Sequence, residues 1–467
     1  MNQDDSIKAK VAVIKSVTPK DCFTKGIDQL GGISQFIEED DIVFLKISLR
    51  LPFGFPTNSN FDLIEKIILM CKEGGAKKIY IGAFPSLGVP IINFDVNMGL
   101  EGFFRNKGAE FVYLDNSNYL MNKSNNSNKI KKSEKQSYSN IKFEDISVKV
   151  PNIILNSDKL IIINQVNVNP LFMCDLSLYN LYSIIPYNHQ ELNYNNDNYE
   201  EVVNNDKYKH DLISKIINVY SIKKPTLVIN DIYYLLEKAG PFIYRDSKLR
   251  KTSLLVMGNN ALAVDIIMLR ILGLDIEKND LISEIKKRGL DPKSFDDIKC
   301  LGENLEEISM KINQCHSKLE DIKVQNLSVL TGRLCSGCFL KAYHLFNFIK
   351  SVLVKDLKYL RKFSILIGLN PPEPQNKNNI IVFGKCAIKT TQNYAFRTLT
   401  KKKMFKKKDK NVQNKAILEI HGCPPDLRIC LKKIFDFFGK SELPELNFLL
   451  KILESSNLCK YNEEIKI

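Results

Sequence analysis

Four cysteines in the last third of the chain have the residue type and spacing of a ligand set. They are Cys335, Cys338, Cys386 and Cys423, and they stand in the motifs Cys-Ser-Gly-Cys, Gly-Lys-Cys-Ala and Gly-Cys-Pro-Pro. A short apolar run precedes each motif, and such runs are typical of buried parallel strands. Because parallel strands end at the same edge of a sheet, we expect the loops after them to bring the four sulfurs together. Four thiolates at one point fit a metal ion or an iron–sulfur cluster.

The three motifs, in this order, resemble the ligand set of the proximal cluster in the small subunits of nickel–iron hydrogenases. The small iron–sulfur subunit of respiratory complex I is similar. The resemblance covers roughly residues 327–440. It implies that Cys335, Cys338, Cys386 and Cys423 hold one 4Fe–4S cluster. The function implied is electron transfer, or redox chemistry on an unidentified substrate, with an unknown redox partner.

Two other interpretations of these cysteines stay open at this point. A structural zinc site also begins with Cys-x2-Cys, and it would make this a non-redox protein. Zinc sites usually close with a second Cys-x2-Cys pair, whereas Cys386 and Cys423 are single and far apart in the chain, which favours iron–sulfur. Free cysteines are also often just small buried hydrophobes.

A lysine and two aspartates form a second candidate site. Lys46, Asp231 and Asp265 stand at or near the ends of predicted strands, or in the helix that follows one. Ligands of open α/β sheets bind at the carboxyl ends of strands. A lysine with two carboxylates could bind a cation, polarise a carbonyl or transfer a proton. We therefore expect the three residues to form a catalytic cleft, and a metal-assisted enzyme acting there is a further alternative. Ordinary structural roles, such as a turn cap or a buried hydrogen-bonded carboxylate, compete with it.

Alternating strand and helix patterns predict the elements that must position these residues. Apolar, β-branched runs predict strands at residues 11–14, 41–47, 78–81, 226–230 and 254–257, and another strand within residues 153–163. Apolar residues predict helices over residues 61–72 and 261–272. The Pro424-Pro425 pair favours the start of another helix, because the first turn tolerates missing amide protons. We expect an α/β fold: an open mixed or parallel sheet with helices on both faces, plus a smaller C-terminal α/β cysteine domain.

The N-terminal part also resembles a known family. The features that carry the resemblance are Val11-Ala-Val-Ile-Lys15, Asp41-Ile-Val-Phe-Leu-Lys46, Gly75-Ala-Lys-Lys-Ile79, Asn230-Asp-Ile232 before Gly240-Pro241, Asn260-Ala-Leu-Ala-Val-Asp265 and Arg288-Gly-Leu290. As an ordered set, residues 10–305 resemble the family called domain of unknown function 362. The family often accompanies iron–sulfur ligands on the same chain. The resemblance therefore implies a fold and agrees with the interpretation of the cysteines.

Composition divides the chain and limits its partners. We expect an α/β domain over residues 1–305, a helical connector over 306–325 and a cysteine domain over 326–467, with polar inserts at about 117–140 and 188–206 and a Lys-rich insert at 401–415. The net charge is +14, but eleven of the excess charges lie in residues 401–415 and 117–137, which have no apolar periodicity. This distribution argues against nucleic-acid binding.

The same composition bears on location. Eleven cysteines in 467 residues are not typical of a secreted disulfide scaffold. The first residues show no basic segment followed by an apolar core, and no apolar run approaches the length of a membrane span. We therefore expect a cytoplasmic protein.

Overall fold

The computed structural model describes most of the chain, with gaps. The described residues are 9–117, 120, 137–143, 147–194, 198–290, 292, 294–375, 379–397, 417–440 and 442–453. The chain forms two compact units. The first comprises Met1–Glu191 and Ile213–Cys315, and the second comprises Leu192–Leu212 and His316–Ile467. The expected Lys-rich insert at 401–415 and most of the insert at 117–140 lie outside the described residues.

The strands and helices are numbered here in chain order. The strands are β1 (Ala9–Lys15), β2 (Ile42–Ile47), β3 (Lys78–Gly82), β4 (Glu110–Phe111), β5 (Tyr138–Lys142), β6 (Ser147–Pro151), β7 (Lys159–Gln165), β8 (Val168–Asn169), β9 (Met173–Cys174), β10 (Leu227–Asp231), β11 (Tyr234–Glu237), β12 (Lys248–Lys251), β13 (Leu254–Gly258), β14 (Ile298–Gly302), β15 (Leu327–Thr331), β16 (Phe363–Ile367), β17 (Ile380–Phe383) and β18 (Ile417–Ile420). The α-helices are α1 (Pro19–Gln29), α2 (Phe61–Glu73), α3 (Ile91–Met98), α4 (Leu100–Lys107), α5 (Asn152–Leu155), α6 (Ser177–Leu181), α7 (Tyr187–Gln190), α8 (Tyr199–Asn204), α9 (Lys207–Ile222), α10 (Ala261–Ile271), α11 (Asp280–Lys287), α12 (Leu305–Ile308), α13 (Ser336–Ser351), α14 (Gly384–Thr390), α15 (Leu427–Phe437) and α16 (Pro444–Leu453). None of the described helices is long and apolar enough to cross a membrane.

The first unit is built on an eight-stranded mixed sheet. The strand order is β14-β1-β13-β10-β7-β2-β3-β4. Strand β13 runs antiparallel to β1 and β10, and the other neighbouring pairs are parallel. The central strands are apolar because both of their faces are buried. Helices α1 and α10 pack on this sheet, and α10 is buried along almost its whole length. The predicted α/β fold with an open mixed sheet is confirmed.

The second unit has its own parallel sheet of four strands. Their order is β15-β16-β17-β18, and every neighbouring pair is parallel. Strand β16 was not predicted, although its five residues are apolar or small and all are buried. Helix α14 packs on the sheet, and α13 packs against α15. A smaller α/β unit that carries the four cysteines is therefore present, as the sequence predicts.

The expected helical connector over 306–325 is wrong. In this stretch the structure has only the end of α12 and a short 3-10 turn at Leu319–Asp321. Its backbone bonds to other segments instead of to itself: Met310 N donates to Ile271 O at 2.7 Å, and Lys238 N donates to Asn313 O at 2.8 Å. A helix would have used these backbone groups internally.

Candidate functional site

The four cysteines follow the carboxyl ends of three strands in the parallel sheet of the second unit. Cys335 is the N-cap residue of α13, and Cys338 lies in the first turn of that helix. Cys386 is the third residue of α14, which begins directly after β17. Cys423 follows β18 by three residues. We call residues 332–338, 384–390 and 421–426 the cysteine segments.

The four thiols interact with one another. Cys335 and Cys338 form one hydrogen-bonded pair, and Cys386 and Cys423 form another. The hydrogen bond from Cys338 lowers the pKa of Cys335 to about 7, and the pKa of Cys338 is raised well above its usual value. In the second pair, the hydrogen bond lowers the pKa of Cys423 and raises that of Cys386. Electrostatic interactions also connect the two pairs, because the charges of Cys386 and Cys423 both raise the pKa of Cys338. The side chains therefore form one cluster of thiols.

The surroundings of the thiols suit an anionic group. Each of the four cysteines is only 2–3% exposed. The backbone N–H groups of Gly337 and Cys338 donate to the Cys335 sulfur, and both lie at the N-terminus of α13, where negative charge is favoured. Gly384 has a φ of 86°, and a Cβ there would lie 3.5 Å from the Cys338 sulfur. The absent side chain leaves space beside that sulfur.

Within the residues that the structure describes, no side chains are already arranged around a single metal ion. Among the described residues, no group of three or more His, Cys, Asp or Glu side chains could hold such an ion. Four buried thiols with amide donors suit soft metal ions chemically. The assignment of Cys335, Cys338, Cys386 and Cys423 as cluster ligands nevertheless stays a prediction.

The helix predicted at Pro424-Pro425 begins slightly later. Helix α15 starts at Leu427, and Asp426 is its N-cap residue. The Asp426 carboxylate accepts hydrogen bonds from the backbone N–H groups of Arg428 and Ile429. A side-chain cap of this kind specifies the helix start better than the prolines do.

A chain of buried polar side chains begins at Lys46 in the first unit. The Lys46 ammonium, near the carboxyl end of β2, donates to the backbone oxygen and to Oδ1 of Asn180. Asn180 Nδ2 donates to Ser48 Oγ at 2.7 Å. Ser48 Oγ donates in turn to Asn164 Oδ1 at 3.3 Å. Since Asn164 lies on β7, this chain joins two neighbouring parallel strands near their carboxyl ends.

The same chain continues to Asp265. Asn164 Nδ2 donates to Asn230 Oδ1 at 2.8 Å, and Asn230 Nδ2 donates to Asp265 Oδ1 at 2.9 Å. Asp265 also accepts the backbone N–H groups of Ser177 and Leu178, each at 3.0 Å, and the Ser177 hydroxyl at 2.5 Å. Burial raises the pKa of Asp265 to about 6, against the effect of these donors. We call the chain from Lys46 to Asp265 the polar network.

An arginine lies beside the polar network. Arg50 Nη2 is 3.0 Å from Asp175 Oδ2, and both side chains are buried. The guanidinium also donates to the backbone oxygens of Thr57 and Gln165, each at 2.7 Å. Burial lowers the pKa of Arg50 and raises that of Asp175. Burial, and then the charge of Arg50, lower the pKa of Lys46 well below its usual value. A lysine with a lowered pKa can act as a base or a nucleophile.

Asp231 lies outside the polar network. It is the neighbour of Asn230 on β10, so the two side chains project from opposite faces of the sheet. Asp231 Oδ1 accepts the backbone N–H of Tyr233 at 2.8 Å, and Oδ2 has no hydrogen-bond partner among the described residues. Burial raises the pKa of Asp231 to about 7.

The structure thus brings Lys46 and Asp265 into one network and separates Asp231 from them. The three residues are at most 1% exposed. The expected shared cleft of Lys46, Asp231 and Asp265 is therefore wrong as a description of this structure, because the side chains are buried and one of them faces away. Catalytic roles for the three residues stay predictions.

The network contains residues that the sequence did not indicate. Asn164 and Asn230 are each the next-to-last residue of a largely apolar strand, and Asn180 lies in a short helix. The available clue was the position of two asparagines at the carboxyl ends of neighbouring buried strands. Without knowledge of which strands pair, this clue did not connect them to Lys46 or Asp265.

Comparisons with known proteins find a similarity in the N-terminal part of the chain. Neither the curated proteins nor the solved structures contain a match to this chain. A family model matches residues 43–270, and its description is Domain of unknown function (DUF362). The match includes Asp231 and the whole polar network from Lys46 to Asp265, and it ends before the cysteine segments. Residues 43–270 of this chain are therefore similar to the Domain of unknown function (DUF362) family.

Proposed function

We propose that this is an iron–sulfur protein that transfers electrons, with one 4Fe–4S cluster held by Cys335, Cys338, Cys386 and Cys423. The observation that carries the proposal is the cluster of four buried, mutually interacting thiols after three strands of one parallel sheet. Such a cluster, when bound, supplies one-electron redox chemistry. A cytoplasmic location is part of the proposal, because reducing conditions keep the thiols free.

Residues of this chain would supply the electrostatic support that a cluster needs. The amides of Gly337 and Cys338 already donate to the Cys335 sulfur, and such hydrogen bonds stabilise a thiolate ligand. The charge of Lys385 also lowers the pKa of Cys423. Burial of the four sulfurs would limit the access of water to the group that they hold.

A structural zinc site is the main alternative, and it would leave the protein without redox chemistry. Zinc is bound by the same donors, so the burial of the thiols does not separate the two metals. The spacing does favour one of them. One Cys-x2-Cys pair with two distant single cysteines is typical of the cluster motifs, whereas structural zinc sites usually use two pairs.

Another candidate function is enzymatic and belongs to the first unit. Lys46 is fully buried, has a lowered pKa and lies near the carboxyl end of a central parallel strand. A proton-transfer or metal-assisted reaction there would use Lys46 and Asp265, which the polar network joins. The absence of exposure at these residues makes this the weaker of the two proposals.

The proposal is tested with anaerobically reconstituted full-length protein. The wild-type protein should show a broad absorbance at about 400 nm, because charge transfer from the four thiolates to iron absorbs in this range. The double variant Cys386→Ser/Cys423→Ser should lose it. Cys430→Ser is the matched control: Cys430 is also buried in the second unit, and a serine hydroxyl inside a helix can bond the carbonyl four residues earlier. Full absorbance in the double variant would contradict the proposal.

A further inference from the structure

One short stretch of the second unit contacts all three cysteine segments. Its described residues are 192–194 and 198–212, and most of them fall in the polar insert that the sequence predicts at about 188–206. Tyr194 N donates to Cys423 O at 2.9 Å. The Lys389 ammonium, in α14, lies 5.3 Å from the centroid of the Tyr199 ring. We call residues 192–194 and 198–212 the cover segment.

The third contact of the cover segment is made by Asp206. The backbone N–H of Ser336 donates to Asp206 Oδ1 at 2.8 Å, and the Ser336 hydroxyl donates to Oδ2. Ser336 is the first residue of α13, directly after Cys335. Beside it, the Tyr208 ring packs against Gly337 so closely that an added Cβ would lie 2.6 Å from the ring. The start of α13 is therefore held by one carboxylate and one aromatic ring.

The backbone of Asp206 is unusual. Its φ is 41°, in the left-handed region, at the break between α8 and α9. Residues other than glycine rarely adopt this region, and Asp is one of those that tolerate it. The chain thus keeps an unfavourable backbone conformation at the point where the carboxylate reaches Ser336. Such strain persists when the surrounding contacts fix it.

The Asp206 carboxylate also places a negative charge beside a cysteine ligand. It accepts both donors of Ser336, the residue that directly follows Cys335, so its charge lies at the start of α13. A fixed negative charge disfavours the addition of an electron to a nearby group, because reduction adds more negative charge. Hydrogen bonds and net charge around a cluster are among the factors that set its reduction potential.

We propose that Asp206 is a positioning residue for the cysteine site: it fixes the start of α13 over Cys335 and keeps the reduction potential of the cluster low. This rests on the proposed function. Asp206 takes the Ser336 N–H for itself and leaves the N–H groups of Gly337 and Cys338 to the Cys335 sulfur.

The test compares two substitutions. Asp206→Asn has the same size and keeps an acceptor for the Ser336 N–H, but it loses the charge. It should bind a full cluster and show a midpoint potential shifted upward from wild type. Asp206→Ala loses the acceptor too, and its cluster should be lost to a chelator several-fold faster. A merely structural role would leave the potential of Asp206→Asn unchanged.

Asp356→Asn is the matched control. Asp356 Oδ2 accepts the backbone N–H of Leu446 at 2.8 Å, at the start of another helix of the same unit. Asp356 follows the C-terminal end of α13, whereas Cys335 stands at its N-terminus, and the 16 residues of this helix span about 24 Å. The potential of this variant should equal that of wild type. An equal shift in both Asn variants would overturn a specific role for Asp206.

Alkylation of the cluster-free protein separates this inference from the proposed function. Without the cluster, iodoacetamide should label the four cysteines several-fold faster in Asp206→Ala than in wild type, because the start of α13 is released. If wild type never binds iron but this difference holds, the proposed function fails and the positioning role stands. If wild type binds a cluster, and both the potential in Asp206→Asn and the labelling in Asp206→Ala match wild type, the inference fails alone.

Discussion

Asn230 Nδ2 donates a hydrogen bond to Asp265 Oδ1 at 2.9 Å, and this contact ties the carboxyl end of β10 to α10. Asp265 receives three further donors from the start of α6. One carboxylate thus holds a strand and two helices together. Lys46, at the other end of the polar network, donates to Asn180, which lies in the same helix α6.

Asp265→Ala should therefore be strongly destabilising. The change leaves the backbone N–H groups of Ser177 and Leu178 and the side-chain amide of Asn230 without this acceptor, and each unsatisfied buried group costs about 1–3 kcal/mol. After partial relaxation we expect a loss of roughly 3–5 kcal/mol in the free energy of unfolding, measured with urea. The control is Asp28→Ala, because Asp28 is exposed. Its free energy of unfolding should stay within about 0.5 kcal/mol of that of the wild type. A loss of similar small size at Asp265 would contradict the importance of the network.

The Arg50–Asp175 pair should behave as a coupled unit. Removing one partner of a buried ion pair costs roughly 3–5 kcal/mol, because the other charge stays buried without compensation. Arg50→Met and Asp175→Asn should each show such a loss. The double variant should be more stable than the sum of the two losses predicts, by roughly 0.5–3 kcal/mol. Strictly additive losses in urea unfolding would show that the two charges do not stabilise each other.

Asp231 should make stability depend on pH. Its pKa in the folded state is about 7, whereas the pKa of an aspartate in an unfolded chain is about 3.9. Because the pKa of Asp231 is higher in the folded state, its protonated carboxyl favours folding. This contribution to the free energy of unfolding is fully present at pH values below the unfolded pKa, and it is lost as the pH rises towards 7. The full loss is on the order of 4 kcal/mol.

The variant Asp231→Asn removes this titration. Relative to wild type, it should gain stability between about pH 5 and about pH 8, measured by urea unfolding at both values. If the new amide lacks an acceptor, the free energy of unfolding changes by the same amount at both pH values. The difference between the two pH values therefore reports only the titration of the Asp231 carboxylate. An identical change with pH in wild type and variant would show that Asp231 does not titrate in this range.

Gly384→Ala should impair the cysteine site. A residue with a Cβ in the left-handed region costs roughly 1–2 kcal/mol, and the new methyl would stand 3.5 Å from the Cys338 sulfur. We expect lower iron content and lower thermal stability. Gly102→Ala is the control: Gly102 lies in α4 with open space around it, so alanine should stabilise by about 0.5–1 kcal/mol. Iron content that is equal in both variants would contradict the account.

The sequence predicts which segments form strands and helices better than it predicts how these elements pair and pack. Strands β2, β10 and β13 lie within about two residues of the predicted runs, because β-branched apolar runs identify buried strands directly. The antiparallel direction of β13 was not accessible, since periodicity carries no direction. The helical connector failed because its backbone finds partners in other segments.

The candidate sites show the same limit. The four cysteines were found because their motifs are local, and their strands lie side by side in one sheet. Asp206 and Ser336 are 130 positions apart, so no local pattern connects them. Asp231 was grouped with Lys46 and Asp265 because all three lie near strand ends. The alternation of side chains on β10 then placed Asp231 on the other face.

The central claim is that Cys335, Cys338, Cys386 and Cys423 hold a 4Fe–4S cluster, and metal analysis of the wild-type protein tests it most directly. The measurement is the content of iron, acid-labile sulfide and zinc per chain after anaerobic purification. The account predicts about four irons and four sulfides per chain, and no stoichiometric zinc. A colourless protein with one zinc per chain and no sulfide would contradict it.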